Sequence, residues 1–222
     1  MLAIFDLDGT LLNTIADLAA ASNYALTQCG YPTHSLHSYP YFVGNGVRRL
    51  LERVMPEDQV DNENIDRMMR HFRDYYGEHL ADSTEPYDGI NDMLLSLQHR
   101  GWNLAVASNK YQMAVEVLIH RFFPDVRWTA VEGQKEGVPT KPDPSIVFEI
   151  LTKCPTPKAE VLYVGDSGVD MDTAARAGVT SVGVTWGFRP VKELREHYAN
   201  HIVNDPQAVC DIAAQMESQQ PV

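Results

Sequence analysis

The chain has 222 residues, of which 44% are hydrophobic and 22% charged, as is ordinary for a folded globular protein. A chain of this length can bury a full core, and it suits one α/β domain with a smaller inserted one. The formal net charge of −12 argues against a nucleic-acid surface, which needs clustered lysine and arginine, but it allows a small anionic substrate in a locally positive site.

Cysteine usage and hydropathy favour a cytoplasmic protein with no membrane partner. Cys29, Cys154 and Cys210 are far apart and form no CxxC pair, so neither a disulfide framework nor a zinc site is expected. The apolar run in residues 1–5 is too short for a signal peptide and lacks a basic leader. No stretch approaches the roughly 20 apolar residues that cross a bilayer. No pattern specifies an oligomeric state.

The N-terminal segment predicts a buried strand, a polar turn and a helix. Leu2 to Phe5 is a short apolar run that stops at Asp6-Leu7-Asp8-Gly9-Thr10. From Ile15 to Cys29, apolar and small residues recur at helical spacing. Asn13 or Thr14 is a suitable cap for this helix.

The segment from Thr14 to Pro86 is predicted to be a compact helical insert without strands. An amphipathic helix covers Asn62 to Leu80, and another starts near Val47. The loop before it, Gly44-Asn45-Gly46, does not match a dinucleotide-binding motif, because Arg49 stands where the third glycine would be. This loop either closes over a substrate or is a turn that caps the helix.

After the insert, short apolar strands alternate with helices. The predicted strands are 103–107, 161–164 and 181–184, with further apolar stretches near 128–131 and at 202–203, and the predicted helices are 90–99, 113–122, one from about 144, one ending at 177 and one after 206. This alternation implies βαβ crossovers and a parallel sheet. The predicted fold is therefore α/β, with a Rossmann-like, doubly wound parallel sheet core formed by residues 1–13 and 87–222, and residues 14–86 as the inserted helical domain.

Polar residues follow three of the predicted strands and precede one helix. They are Asp6 with Asp8, Ser108 with Asn109, Asp166, and Lys141. In an open parallel sheet, ligands bind beyond the carboxyl ends of the strands. We therefore expect these side chains to meet at one rim of the sheet.

Two carboxylates two residues apart are able to divide the chemistry of phosphoryl transfer. Asp6 would attack phosphorus, while Asp8 would protonate the leaving oxygen and later take a proton from water. Gly9 permits a tight turn, and loop amides as far as Thr10 could form a nest for phosphate oxygens. The alternative is an ordinary Asp-Gly turn.

An anionic nucleophile needs counter-charge, because two unit charges 4 Å apart repel by about 4 kcal/mol at an effective dielectric constant near 20. Asp166 and Asp170 offer hard oxygen ligands for a Mg²⁺ ion that also touches Asp6. Lys141 offers a mobile positive charge. Ser108 offers a hydroxyl and Asn109 an amide to the phosphate oxygens.

Each of these residues also has a plain structural explanation. Gly165-Asp166-Ser167 is a suitable helix cap, Lys141 a solvated loop lysine, and Ser108-Asn109 a turn. These structural explanations would require four independent coincidences at one rim of the sheet. A single functional site explains all four segments at once, so the joint pattern favours a site.

Four segments together resemble the motifs of the haloacid-dehalogenase-like (HAD) superfamily. They are Asp6-Leu7-Asp8-Gly9-Thr10, Ser108-Asn109, Lys141-Pro142-Asp143-Pro144 and Gly165-Asp166-Ser167 with Asp170. The resemblance covers the whole chain, and the helical insert is similar to the small helical cap of that superfamily. Within it the chain most resembles phosphoglycolate phosphatases, through Phe42–Val47, Pro86–Gly89 and Gly165–Gly178.

The resemblance implies Mg²⁺-dependent hydrolysis of a small phosphomonoester, phosphoglycolate or a similar phosphate, through a phosphoaspartate at Asp6. It implies that Asp8 is the acid and base, and that Ser108 and Lys141 bind phosphate. The implied metal ligands are Asp6, the main-chain carbonyl of Asp8 and Asp166, with Asp170 acting through water or from behind the ligands.

The loop before the helix at Val47 and the first turn of that helix are the predicted substrate loop. The residues predicted to contact substrate are Gly44, Asn45, Gly46 and Arg48, and the Arg48 guanidinium suits a substrate carboxylate. Trp186 to Arg189 lies after a strand and either lines the rim or forms a surface loop. Other activities on the same scaffold are a sugar phosphomutase and an inorganic pyrophosphatase, and the non-enzymatic alternative is an inactive binding module.

Overall fold

The structure is a computed structural model that describes residues 1–219. Its strands are β1 (Leu2–Phe5), β2 (Leu12–Asn13), β3 (Glu85–Pro86), β4 (Asn103–Tyr111), β5 (Trp128–Gln134), β6 (Val161–Gly165), β7 (Thr180–Val184) and β8 (His201–Val203). Its α-helices are α1 (Ile15–Gln28), α2 (Tyr39–Phe42), α3 (Val47–Val54), α4 (Asn62–His79), α5 (Ile90–His99), α6 (Gln112–Phe122), α7 (Ser145–Lys153), α8 (Gly168–Ala177), α9 (Val191–Glu196) and α10 (Pro206–Ser218).

Six strands form a parallel sheet in the order β5-β4-β1-β6-β7-β8. The chain winds outward from β1 in both directions, first through β4 and β5 and then through β6, β7 and β8. The connections therefore change direction at β1, and a ligand-binding crevice is expected beyond the carboxyl ends of β1, β4 and β6. The α/β, doubly wound fold predicted from the sequence is confirmed.

Helices cover both faces of this sheet, because successive side chains of a strand point to opposite faces. On one face, Ala3 and Phe5 pack with apolar residues of α5, α6 and α10. On the other, Leu2 and Ile4 pack with apolar residues of α7 and α8. Burial on both faces explains why the central strands are continuous apolar runs.

The helices of the insert form an apolar cluster of their own. Residues of α1, α3 and α4 meet there, among them Leu18, Leu51 and Phe72. The two chain segments that lead into and out of the insert pair as an antiparallel ladder, Leu12 with Pro86 and Asn13 with Glu85. The boundaries at residues 14 and 86 stay a prediction. Among the helices of residues 1–219, none combines the length and the apolar content needed to cross a membrane.

Several element boundaries differ from the sequence predictions. Strand β4 continues to Tyr111, so Ser108 and Asn109 lie in the last part of a strand rather than after it. A hydropathy pattern does not show this extension, because Ser108, Asn109 and Lys110 are polar although they are buried. The side chain of Thr14 does not cap α1, because its hydroxyl donates to Asp8 at 2.7 Å instead. Helix α9 escaped prediction because only Leu194 is buried in it.

Candidate active site

Three carboxylates converge where β1 and β6 end. Asp6 follows β1, Asp166 follows β6, and Asp170 lies in the first turn of α8. One oxygen of each lies within 4.8 Å of the others. The Lys141 ammonium contacts Asp6 Oδ1 at 2.9 Å and Asp170 Oδ1 at 2.7 Å. The sequence-predicted acids and lysine are therefore adjacent, although they span most of the chain.

Local structure holds Asp6 in place. Its backbone N–H donates to the Val164 carbonyl of β6 at 2.9 Å, which continues the parallel ladder by one residue. The N–H of Leu7 donates to Asp6 Oδ1 at 2.7 Å. Both the amide and the Lys141 contact involve Oδ1, so the carboxylate is oriented from one side.

The turn from β6 into α8 places the other two acids. A Cβ at Gly165 would collide with Asp170, so glycine is needed for this close approach. Ser167 caps α8 in a capping box, in which its backbone N–H donates to Asp170 Oδ2 at 3.2 Å, and its hydroxyl also donates to that oxygen at 2.6 Å. The helix-cap explanation therefore applies to Ser167, while Asp166 faces the other carboxylates.

Burial makes this cluster electrostatically unusual. Burial raises the pKa of Asp6 from an ordinary 3.8 to about 7; Lys141 opposes the shift, and Asp170 and Asp8 add to it. Burial and the same-sign charges of Asp170 and Asp6 hold the pKa of Asp166 well above its usual range. For Lys141, burial lowers the pKa, but Asp170 and Asp6 outweigh it and the net pKa lies well above the ordinary value. One ammonium does not balance three carboxylates.

The residues present fit a divalent cation. Carboxylate oxygens are the ligands that Mg²⁺ prefers. The three carboxylates lie close together, and their negative charge exceeds the positive charge of the one ammonium beside them. The surrounding backbone is tight: a Cβ at Gly9 or Gly187 would collide with Asp166. Asp6 and Asp166 would hold the ion directly, and Asp170 is already engaged by Lys141 and Ser167.

The Asp8 carboxylate is not part of this cluster. It accepts hydrogen bonds from the Lys110 ammonium at 2.9 and 3.1 Å and from the Thr14 hydroxyl at 2.7 Å. A metal contact of Asp8 would have to come from its main-chain carbonyl, as the resemblance implies. Lys110 was missed by sequence reasoning. The predicted strand ended at residue 107, so no sequence pattern indicated that Lys110, two residues after Ser108, shares a strand face with it.

The predicted phosphate-binding pair divides into two roles. The Ser108 hydroxyl accepts from the Lys110 backbone N–H at 3.2 Å, which leaves its own proton for a phosphate oxygen. The Asn109 side chain instead ties loops together. Its amide donates to the carbonyls of Gly44 at 3.3 Å and Lys141 at 3.2 Å, and its Oδ1 accepts from the Lys141 N–H at 2.9 Å.

Gly9 and Thr10 are not arranged as the phosphate nest expected from the sequence. The N–H of Gly9 donates to the Leu12 carbonyl at 2.9 Å, and that of Thr10 to the Leu7 carbonyl at 3.3 Å. Both amides are thus used within the turn. The glycine is needed for another reason, since its φ of +87° is a left-handed conformation.

The predicted substrate loop is only partly at the site. Gly44 and Gly46 line the cavity beside Asp6, together with apolar side chains of the insert: Leu18, Val43, Val47 and Leu50. Asn45 faces elsewhere and accepts from Arg53 at 2.7 Å.

Arg48 does not line this cavity, which corrects the sequence prediction. Its guanidinium contacts Glu52 at 3.3 Å, Asn62 at 2.6 Å and Asp66 at 3.7 Å. These partners lie on α3 and α4, so Arg48 is held on the helical face of the insert, away from this cavity.

The loop after β7 reaches the rim. The Trp186 indole donates to the Thr10 carbonyl at 3.0 Å, and the Phe188 N–H donates to Asp166 Oδ2 at 2.6 Å. Arg189 crosses to the insert and donates to the Val43 carbonyl at 2.8 Å. Of the two explanations left open for this loop, the structure supports a rim loop.

The enclosed space is small. The cavity that Asp6, Asp8, Ser108 and Lys110 share with the insert has a volume of about 40 Å³. A cavity of this size suits a compact ligand.

Known proteins are similar to this chain in fold and sequence. The family described as haloacid dehalogenase-like hydrolase matches residues 3–184. A phosphoglycolate phosphatase of Mesorhizobium japonicum is 32% identical over 195 residues, with 86% of each chain covered. One from Pseudomonas syringae pv. tomato is 33% identical over 213 residues, which cover 92% of this chain and 76% of that protein. A crystal structure from Lactobacillus delbrueckii subsp. bulgaricus, provisionally described as a phosphoglycolate phosphatase, superposes with a TM-score of 0.90 at 32% identity and covers 96% of this chain and 97% of that one.

Proposed function

The chain belongs to the haloacid dehalogenase-like hydrolase family and is a phosphatase, and on this premise we propose that it hydrolyses a small phosphomonoester with Mg²⁺ through a phosphoaspartate at Asp6. The observation that carries the proposal is the juxtaposition of Asp6 with Lys141, Asp166 and Asp170 at the strand ends. Asp8 lines the same cavity as Asp6 and is the second carboxylate that the chemistry needs.

In the first half of the reaction, an oxygen of Asp6 attacks phosphorus. The new bond between that oxygen and phosphorus forms as the ester bond breaks, and Asp8 donates a proton to the departing alkoxide. In the second half, Asp8 takes a proton from water, whose oxygen attacks the phosphorus. The Asp6–phosphate bond breaks, which releases inorganic phosphate and restores the Asp6 carboxylate.

The remaining residues reduce charge repulsion and orient the phosphate. Lys141 contacts the nucleophile and is placed to neutralise phosphate oxygens, and Ser108 donates its hydroxyl to one of them. Asp6, the main-chain carbonyl of Asp8 and Asp166 would hold Mg²⁺. When bound, the ion neutralises charge on the phosphate oxygens. Asp170 would act from behind these ligands, since it fixes Lys141 at 2.7 Å.

A small organic acid phosphate such as 2-phosphoglycolate is the proposed substrate. The support is the printed function of the relatives and the small cavity. The proposal includes a cytoplasmic location, which rests on the sequence pattern of Cys29, Cys154 and Cys210.

The direct test measures phosphate released from a panel of phosphomonoesters by the purified protein with Mg²⁺. We expect turnover of 2-phosphoglycolate and a loss of at least about a thousandfold in Asp6→Asn. Pyrophosphate and a hexose phosphate in the same panel separate the two alternative activities. Equal phosphate release by wild type and Asp6→Asn would refute the proposal, as would pyrophosphate cleavage or sugar-phosphate isomerisation that outpaces ester hydrolysis.

A further inference from the structure

Lys110 makes a two-point contact with the second carboxylate of the site. Its ammonium lies 2.9 Å from Asp8 Oδ1 and 3.1 Å from Oδ2. Lys110 lies on β4, and Asp8 follows β1, the neighbouring strand of the sheet. The side chain of Lys110 is only 3% exposed, so water competes little for this contact.

A third donor completes the arrangement. The Thr14 hydroxyl donates to Asp8 Oδ1 at 2.7 Å, from the start of the helical insert. Because Oδ1 has two donors and Oδ2 has one, both the direction and the rotation of the carboxylate are defined. A group that transfers protons must be held within hydrogen-bond reach of the reacting oxygen, and a supporting shell of contacts provides this precision.

Lys110 is itself held from two sides. Its backbone N–H donates to the Ser108 hydroxyl at 3.2 Å, which links it to the proposed phosphate donor. Its ammonium lies 4.9 Å from the ring centroid of Tyr76, a buried residue of α4, at a distance typical of a cation–π contact. The contact with Asp8 therefore depends on the core strand and on the helical insert together.

The alternative is that Lys110 and Asp8 form a buried ion pair that only supports the fold. The location of the pair argues for a role in the site as well. Lys110 and Asp8 line the cavity that also contains Asp6 and Ser108, and Lys110 is the one cationic side chain among the described residues that line it.

From this geometry we propose that Lys110 is a positioning residue, which fixes the Asp8 carboxylate for its two proton transfers. The inference rests on the proposed function, because it assigns a role within that reaction. The effect of losing Lys110 on the reaction rate depends on the leaving group of the substrate. An alkoxide such as glycolate needs a proton as it departs, whereas p-nitrophenolate leaves without one. Loss of Lys110 should therefore slow the first half of the reaction for the former and spare it for the latter.

The test compares Lys110→Met with wild type by rapid-quench measurement of phosphoenzyme formation from 2-phosphoglycolate and from p-nitrophenyl phosphate. Methionine keeps the apolar stem against Tyr76 and removes the charge. We expect roughly a 100-fold slower phosphoenzyme formation from 2-phosphoglycolate, with less than about a threefold change for p-nitrophenyl phosphate. In steady state, kcat for 2-phosphoglycolate should fall while KM changes little. Lys110→Arg should restore part of the loss.

A matched control is Lys135→Met, since that lysine pairs with Glu132 at 2.5 Å and Glu149 at 2.6 Å outside this cavity. It should leave both rates unchanged. Equal losses of Lys110→Met for the two substrates would indicate a general structural role and overturn the inference, as would unchanged rates. In both cases the wild-type activity would leave the proposed phosphatase function intact, whereas a wild type that cleaves neither ester would refute that function itself.

Discussion

The Asp6 carboxylate is in an unfavourable electrostatic environment, because it is buried beside two other acids with one ammonium to offset them. Its pKa of about 7 in the folded protein compares with an ordinary 3.8. Between these values the folded state holds one more proton at Asp6 than the unfolded state does. The stability that this proton provides is complete below pH about 4 and is lost as the pH rises through about 7.

A pH dependence of stability follows for the metal-free protein. We expect its melting temperature in a chelator to fall between pH 5 and pH 8. The Asp6→Asn variant should show a smaller fall over the same range, because its side chain does not ionise. Thermal unfolding followed by circular dichroism would measure both. Parallel curves for the two proteins would contradict the raised pKa of Asp6.

Arg48 provides a second prediction at the scale of one residue. Its guanidinium is engaged by Glu52, Asn62 and Asp66, and it does not line the cavity. Arg48→Ala should therefore leave kcat/KM for 2-phosphoglycolate within about twofold, a change of less than about 0.5 kcal/mol. A loss of tenfold or more, with the fold intact, would restore the direct substrate role that the sequence predicted.

At the scale of secondary structure, hydrogen bonds to Asp17 form a clamp. This clamp holds the chain segment that leads from the insert back to the sheet against α1. Asp17, buried in the first turn of α1, accepts from the N–H groups of Ser83 and Thr84 at 2.8–3.1 Å and from the Thr84 hydroxyl at 2.7 Å. An acid in the first turn of a helix is usually explained by the helix dipole. Here the carboxylate instead joins two segments more than sixty residues apart in the chain.

Removal of this clamp should destabilise the protein substantially. Asp17→Ala leaves the N–H of the buried Thr84 without its acceptor and leaves the Thr84 hydroxyl only a long contact with the Leu80 carbonyl at 3.4 Å, so we expect a loss of about 1–3 kcal/mol in the free energy of unfolding. Urea denaturation would measure it. Asp74→Ala, on the exposed side of α4, is the control and should change stability by less than about 0.5 kcal/mol. Equal effects would show that the clamp is unimportant.

At the scale of the whole molecule, the proposed metal site joins the ends of β1 and β6, so ion binding should stabilise the entire fold. A ligand that binds only the folded state adds a stabilisation of RT ln(1 + [L]/Kd), about 2.7 kcal/mol at a concentration of 100 times Kd. For a protein of this size that corresponds to an increase in melting temperature of several degrees, at about 2–4 °C per kcal/mol.

The prediction is a rise in melting temperature on addition of excess Mg²⁺ to the chelator-treated protein. Asp166→Asn should lose most of this rise, because it removes the negative charge of a proposed direct ligand. In the absence of metal the same variant should melt above wild type at pH 8, since it removes the two causes that raise the pKa of Asp166, namely the burial of a charge and its repulsion by Asp170 and Asp6. An equal Mg²⁺ response in both proteins would place the ion elsewhere.

The sequence by itself determined the α/β fold and was enough to predict the principal acids of the proposed site. Apolar runs of strand length and helical periodicity are local signals, and the six-stranded sheet follows from their alternation. Asp6, Asp166 and Lys141 were predictable because each lies at or near the end of an element, and the carboxyl ends of parallel strands share one edge. Their convergence is confirmed by the distances among them.

Only the tertiary structure decided which partner each polar group takes. Lys110 meets Asp8 across 102 positions of sequence, and Asp17 meets Thr84 across 67, so no local pattern specifies either contact. Arg48 is withdrawn from the cavity by acids of two helices whose relative placement depends on packing. Local sequence sets backbone conformation and burial, whereas hydrogen-bond partners depend on the distances that the folded core imposes. The proposed nucleophile Asp6 is therefore recognisable from its motif, whereas the contacts of Asp8 with Lys110 and Thr14 depend on the fold.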